Sequence, residues 1–189
     1  MTSSSTAPTA IEIKVDEVSQ LFNTLDPFPF REKDLDKDAE DFIVGWAREL
    51  PRRLALRIII HVPKPEANKA SASQATEALQ RYFEYRAGVL SLELNELFRV
   101  GRLSLFIGLT VLALCLLSAQ AVEALPLAPQ IRRYLEEGLI ILGWVANWKP
   151  LEIFLYEWWP LTQRRNLYRR LGRATVEVRG DAVATAPAA

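Results

Sequence analysis

The sequence predicts an α+β membrane protein: a two-helix transmembrane hairpin carrying a small cytoplasmic α+β domain of two to three strands, with a long helix of that domain continuing into the first span. Three observations predict it. Residues 103–122 form a run without a charged side chain, long enough at ~1.5 Å per residue to match a hydrocarbon core of ~30 Å. A second apolar run follows at residues 138–159. Residues 11–99, in contrast, carry charges throughout and alternate between strand-like and helix-like apolar periods. Averages over the whole chain, 50% hydrophobic with a formal net charge of +0, hide this division. The expected organisation is a disordered tail at 1–10, a cytoplasmic domain at 11–98, the hairpin at 99–163, and a basic cytoplasmic segment with a second disordered tail at 164–189.

The elements follow in order. Polar, small residues 1–10 lack the basic start and apolar stretch of a cleaved secretory signal, so the N-terminal part is expected to stay on the cytoplasmic side. Ile11, Ile13 and Val15 alternate with Glu12 and Lys14, the period of a strand with one buried face, short enough to sit at an edge. Asp16 is expected to cap a brief helix through Phe22, ended by Asn23 and the LDPFPF stretch, where Pro27 and Pro29 enforce an extended path. Phe28 and Phe30 between these prolines form an aromatic knob whose commoner fate is packing over the first helix. Asp36, Asp38, Glu40 and Asp41 crowd the first turn of a helix running to about Leu50, with Phe42, Ile43, Trp46 and Leu50 as its apolar face. Residues 54–62 read as the longest strand, ended by Pro63 and Pro65. From about Ala70 a helix places Leu79, Phe83, Leu90, Leu94 and Leu97 along one side and meets no stop signal before Gly101. TVEVR at residues 175–179 alternates again and offers a third strand.

Between the two apolar runs lies a connection of about fifteen residues with Pro126, Pro129 and the cluster Arg132, Arg133, Glu136 and Glu137, which suits a short external loop. Arg99 and Arg102 precede the first span and Arg164, Arg165, Arg169, Arg170 and Arg173 follow the second, so both termini are expected in the cytoplasm. The same arginines suit anionic lipid headgroups, and Trp158 and Trp159 suit the adjoining interface.

The most informative side chains are ionisable groups inside the second run, because charge at membrane depth needs a partner, a cavity or a function. Asn147, Lys149, Glu152 and Tyr156 are read as one intramembrane polar stripe, with Lys149, Glu152 and Tyr156 at helical spacing. Pro150 removes a backbone hydrogen bond there and frees the carbonyl of Ala146. The competing reading is a kinked helix whose charges snorkel or pair structurally. Cys115 is the sole cysteine and His61 the sole histidine, which excludes an intrachain disulfide and a histidine or cysteine metal cluster. The acidic run from Asp34 to Asp41 lacks the glycine and terminal glutamate of a calcium loop and reads as a helix start. With no phosphate loop, nucleophile elbow, zinc spacing or nucleic-acid signature, no catalytic, cofactor-binding or metal residue is assigned, and no cofactor or nucleic-acid partner is expected.

The segments WKPLEIFLYEWWP at 148–160 and LDPFPFREKDLD at 25–36 resemble stretches of a group of uncharacterised bacterial two-transmembrane-helix proteins. The resemblance covers most of the chain; it implies a bacterial cell (inner) membrane location and brings no activity, cofactor or catalytic residue. The function expected is that of a non-enzymatic, self-associating structural or scaffold component, with the bilayer, further copies of itself and a cytoplasmic protein as partners. Two other classes stand beside it: an oligomeric channel or transporter subunit using Lys149, Glu152 and Tyr156, and a membrane-bound enzyme without a recognisable motif.

Overall fold

The computed structural model of the chain describes residues 10–22, 34–51, 54–67 and 70–181. Ala10, expected within the first tail, opens a strand; the rest of the tail expectations and the aromatic knob at Phe28 and Phe30 lie outside the described residues. The elements are β1 (Ala10–Lys14), a 3-10 turn (Val18–Leu21), α1 (Lys37–Glu49), β2 (Arg57–Pro63), α2 (Lys64–Ala67), α3 (Ala70–Glu123), α4 (Pro129–Ala146), α5 (Trp148–Glu152), a π-helical turn (Ile153–Glu157), α6 (Trp158–Gly172) and β3 (Thr175–Asp181). The chain forms two compact units, one of Met1–Val89 with Arg164–Ala189 and the other of Leu90–Gln163.

In the first unit the three strands lie side by side in the order β1-β2-β3, both pairings parallel, so the alternating segment after the basic cluster does join the sheet. Period-two alternation makes each strand two-faced. Register brings Ile11, Ile58 and Val176 together, and Ile13, Ile60 and Val178 beside them. Ile11, Ile58, Ile60 and Val62 are buried, and the unit's core is completed by Ile43, Val44 and Ala47 of α1, Ala75, Leu79 and Phe83 of α3, and Leu171 of α6. The opposite face is polar around a buried Ile59 in the central strand: Arg57 bonds Glu177 at 2.6 Å, Arg179 bonds Glu177 at 2.9 Å, and His61 Nε2 lies 3.6 Å from Glu12.

Helix α1 starts as expected. The Asp36 side chain accepts from the Asp38 N–H at 3.0 Å, and Asp38 and Glu40 occupy the first turn, where the partial positive charge of the helix end favours them. Its inward face differs from the expected one. Ile43, Val44, Ala47 and Leu50 are buried, while Phe42 and Trp46 are 44% and 45% exposed and pack on each other at 6.1 Å. Two stripes one residue apart lie about 100° apart on a helix, and the aliphatic one turns inward. The expected helix from Asp16 is a single 3-10 turn flanked by Glu17, which makes no side-chain cap. Helix α3 runs 54 residues without interruption, in line with the missing stop signal.

In the second unit α3 ends at Glu123 and α4 begins at Pro129, so the connection is shorter than expected and Arg132, Arg133, Glu136 and Glu137 are helical. Proline at a first helical position explains the start, since its fixed φ suits a helix and its missing N–H would find no partner there. Two helical stretches, Ala72–Glu123 and Pro129–Gly172, are long and apolar enough to cross a membrane.

Candidate functional site

The second unit is organised around a seam between α3 and the antiparallel α4-α5 segment. On α3 the seam falls at Leu94, Gly101, Gly108 and Cys115, each buried and seven residues from the last, the repeat that keeps one stripe toward a partner helix. Gly101 faces Ile153, Gly108 faces Asn147, and Gly143 faces Leu112 and Cys115. Each approach is too close for a side chain: a Cβ on Gly108 would lie 2.8 Å from Asn147 Oδ1 and 2.9 Å from the Ala146 carbonyl oxygen, and one on Gly143 would lie 2.7 Å from Leu112 Cδ1. Pro150 leaves the Ala146 carbonyl without its α-helical donor, and that oxygen is directed at the Gly108 backbone.

Asn147 is the polar element of the seam and is only 7% exposed. Its amide Nδ2 donates to the Gly108 carbonyl at 3.1 Å and to the Gly143 carbonyl at 2.9 Å, bridging the two helices. At Asn147 the backbone leaves the helical region, with φ −93° and ψ 0°, so α4 ends and α5 begins at this residue. Asn147 therefore does not share a stripe with Lys149, Glu152 and Tyr156. Two residues correspond to about 200° on a helix, which carries Lys149 to the outside.

That outer face holds the ionisable groups. Lys149 Nζ lies 2.5 Å from Glu157 Oε1 and 3.3 Å from Glu152 Oε2, with all three side chains partly exposed. Tyr156 is exposed and lies along the same side, whereas Glu157, which the sequence pattern did not bring into the group, is the closer acid. Glu157 reaches Lys149 across eight residues because the π-helical turn at Ile153–Glu157 widens the winding there. The indole N–H of Trp158 donates to the Phe154 carbonyl at 2.9 Å, and Trp158 and Trp159 meet edge to face at 5.6 Å.

The seam also defines a level. Arg102, one residue on from Gly101, is level with Glu152, one residue back from Ile153; Phe98 stacks on Phe154 at 6.3 Å just beyond. Glu157, Trp158 and Trp159 follow Phe154 on that side. The charged group thus lies at the end of the hairpin that carries Arg99 and Arg102, away from its middle.

The arginines serve different ends. Arg99 pairs with Glu96 at 3.5 Å, and Arg102, Arg164, Arg169 and Arg173 are exposed. Arg165 is half-buried beside Asn166. Arg170 turns into the first unit, where its guanidinium donates to the carbonyls of Pro51 at 2.5 Å and Leu54 at 2.8 Å and reaches the Leu50 carbonyl at 3.5 Å. Those oxygens follow the C-terminus of α1 and lack helical donors, so Arg170 caps that helix rather than a lipid.

A second cluster, which no local pattern announced, lies in the first unit. The Glu40 carboxylate accepts from Tyr82 Oη at 2.7 Å and Tyr168 Oη at 2.5 Å, and Arg86 Nε stands 3.6 Å away. Burial pushes the Glu40 carboxyl up, but the phenol bonds of Tyr168 and Tyr82 and the Arg86 charge outweigh it and hold it below its ordinary value. Burial, then the Glu40 carboxylate, raise both phenols. Through these hydrogen bonds the cluster ties α1, α3 and α6 together. Among the described residues no group of three or more His, Cys, Asp or Glu is arranged to hold a metal ion. Comparison with protein families, curated proteins and solved structures finds no match to the chain.

Proposed function

We propose that this chain is a non-enzymatic integral membrane protein of the bacterial inner membrane, which self-associates through its hairpin as a structural or scaffold component. One observation carries the reading: the hairpin is inverted relative to a water-soluble protein. Glycines, a cysteine and a buried amide fill much of its seam beside Leu94 and Ile153, while Phe106 and Trp148 are 71% and 72% exposed and many of the leucines and isoleucines around them also face outward. The core helix of a soluble protein is mostly buried; only 11% and 22% of the most apolar windows of these helices are. Close glycine packing and an interhelical amide bond are what joins helices when the surrounding solvent is itself apolar.

Orientation follows from charge. Arg99 and Arg102 flank one end of the first span and the basic stretch 164–173 follows the second, which places both termini in the cytoplasm. Trp158 and Trp159 adjoin that end and suit the interface. Self-association is supported by the charged group on the outer face, where two acids share one lysine and the residual charge needs a partner. A pore built on Lys149, Glu152 and Tyr156 would require them at mid-span, and their level beside Arg102 argues for the interface instead.

Two measurements test the proposal. The protein is expected to stay with the membrane after alkaline carbonate washing. In lipid nanodiscs its mass, with lipid and scaffold subtracted, is expected at a multiple of the chain mass. Release by carbonate would overturn membrane integration, and a strictly monomeric mass at high protein-to-lipid ratio would overturn self-association.

A further inference from the structure

We infer that neighbouring copies are joined by an ion pair between Arg102 of one copy and Glu152 of the next, at the cytoplasmic end of the hairpin. This rests on the self-association proposed above and names its contact.

The argument begins with charge. Lys149 is bound most closely by Glu157 at 2.5 Å, with Glu152 at the longer 3.3 Å. One cation and two anions leave one negative charge, centred on Glu152. Arg102 is exposed, and among the described residues it has no acidic partner. The two groups have opposite sign and stand at one level, since Gly101 packs directly on Ile153.

Geometry separates them within the chain. Arg102 is one residue on from the seam position Gly101 and Glu152 one residue back from Ile153, which Gly101 meets, so each lies about 100° round its own helix, and because the two helices run antiparallel these steps turn to opposite faces of the hairpin. Complementary charges at equal height on different sides of one molecule are what a head-to-tail contact joins, and such contacts close into rings when the rotation permits. The surroundings suit a protein neighbour. Phe106 and Leu109 follow Arg102 at one and two turns, and Trp148, Leu155 and Tyr156 surround Glu152, all exposed, so each charge sits in an apolar strip able to pack on another copy. Near the interface such a pair is shielded from much of the water that weakens exposed ion pairs.

The experiment uses the full-length protein with Cys115, its sole cysteine, replaced by Ala. Two differently tagged copies, one R102C and the other E152C, are co-expressed and treated in membranes with a short bismaleimide. The inference expects a product carrying both tags, and none when R102C is replaced by L114C, an exposed site at another level. In nanodiscs, R102E and E152R are each expected to raise the protein fraction needed for assembly roughly tenfold or more, and the double swap to return it to within about threefold of wild type. An oligomer that forms no such product, or whose charge reversals simply add, overturns the Arg102–Glu152 contact while self-association stands. A wild-type chain that is monomeric under the same conditions overturns both.

Discussion

Helices in the sheet-bearing unit meet through Ile43, Leu79, Phe83 and Leu171, all essentially inaccessible, whereas those in the hairpin unit meet through Gly101, Gly108, Gly143 and Asn147. The first unit keeps most of its charges outside, with Glu40 drawn in against two phenols, and the second keeps many of its largest apolar side chains outside. The same chain thus packs by two rules. Where water surrounds the fold, removing apolar area from it is the driving force, and bulky side chains belong inside. On the membrane reading proposed above, the hairpin's surroundings are apolar, burying a leucine there gains little, and close backbone contact with an interhelical hydrogen bond takes over.

Core truncation should divide the units most sharply. Phe83 is fully buried against Tyr82 and Tyr168, and Phe83→Ala is expected to destabilise the first unit by about 3–5 kcal/mol. Amide hydrogen exchange should accelerate across β2 while the hairpin amides keep their protection. Equal acceleration in both units would erase the distinction.

The Glu40 cluster gives the first unit a pH dependence that the hairpin seam lacks. Glu40→Gln removes the charge that two phenols and Arg86 converge on, and a loss of about 1–3 kcal/mol is expected. The folded carboxyl titrates below its ordinary value of 4.5, so its contribution is complete above that value and is lost as pH falls through the lower, folded one. Unfolding of the wild-type unit should become easier below about pH 4.5, and the Gln variant should lose that component of the slope. An unchanged slope would show that other carboxyls set it.

In the hairpin the sensitive direction is enlargement. A side chain at Gly143 would overlap Leu112 Cδ1 at 2.7 Å with the α3 backbone close behind, so Gly143→Val is expected to open the seam at about 1–3 kcal/mol, read by SDS titration in mixed micelles. Asn147→Ala removes two carbonyl contacts and should cost less, about 0.6–1.7 kcal/mol, because on the proposed membrane reading the freed carbonyls find other partners. If Asn147→Ala proved the worse of the two, the amide rather than close packing would hold the hairpin.

Much of this was legible in the sequence because it is local. Alternation marked all three strands, and the charge-free run and uninterrupted α3 followed from composition and missing breakers. The small seam residues Gly101, Gly108 and Cys115 also lie at a readable spacing, but a seven-residue stripe of small residues carries no apolar signal. Glu40, Tyr82 and Tyr168 are 42 and 128 residues apart by their hydrogen bonds, and no periodicity joins them. Asn147 does not belong with Lys149, Glu152 and Tyr156: it lies about 200° from Lys149 on a helix, and the backbone both breaks at Asn147 and widens at Ile153–Glu157, which a count along the sequence does not reveal.

The helix α1 aromatics are the remaining mismatch and give the smallest expected effect. Hydrophobicity alone would send Trp46 inward before Ala47, yet Ala47 is 1% exposed and Trp46 45%. Ile43, Val44 and Ala47 form the buried stripe of α1, and Glu40, one turn before Ile43 and Val44, accepts from Tyr82 of α3, which turns that stripe inward and leaves Trp46 beside it exposed. If that reading is right, Trp46→Ser changes the stability of the isolated full-length protein by no more than about 0.5 kcal/mol, while Ile43→Ser, one turn away on the buried stripe, is severe. Thermal unfolding in detergent distinguishes the two variants. A large loss from Trp46→Ser would mean that a surface open in a single chain is covered in the assembled protein, and the first unit would then share the second unit's outward apolar face.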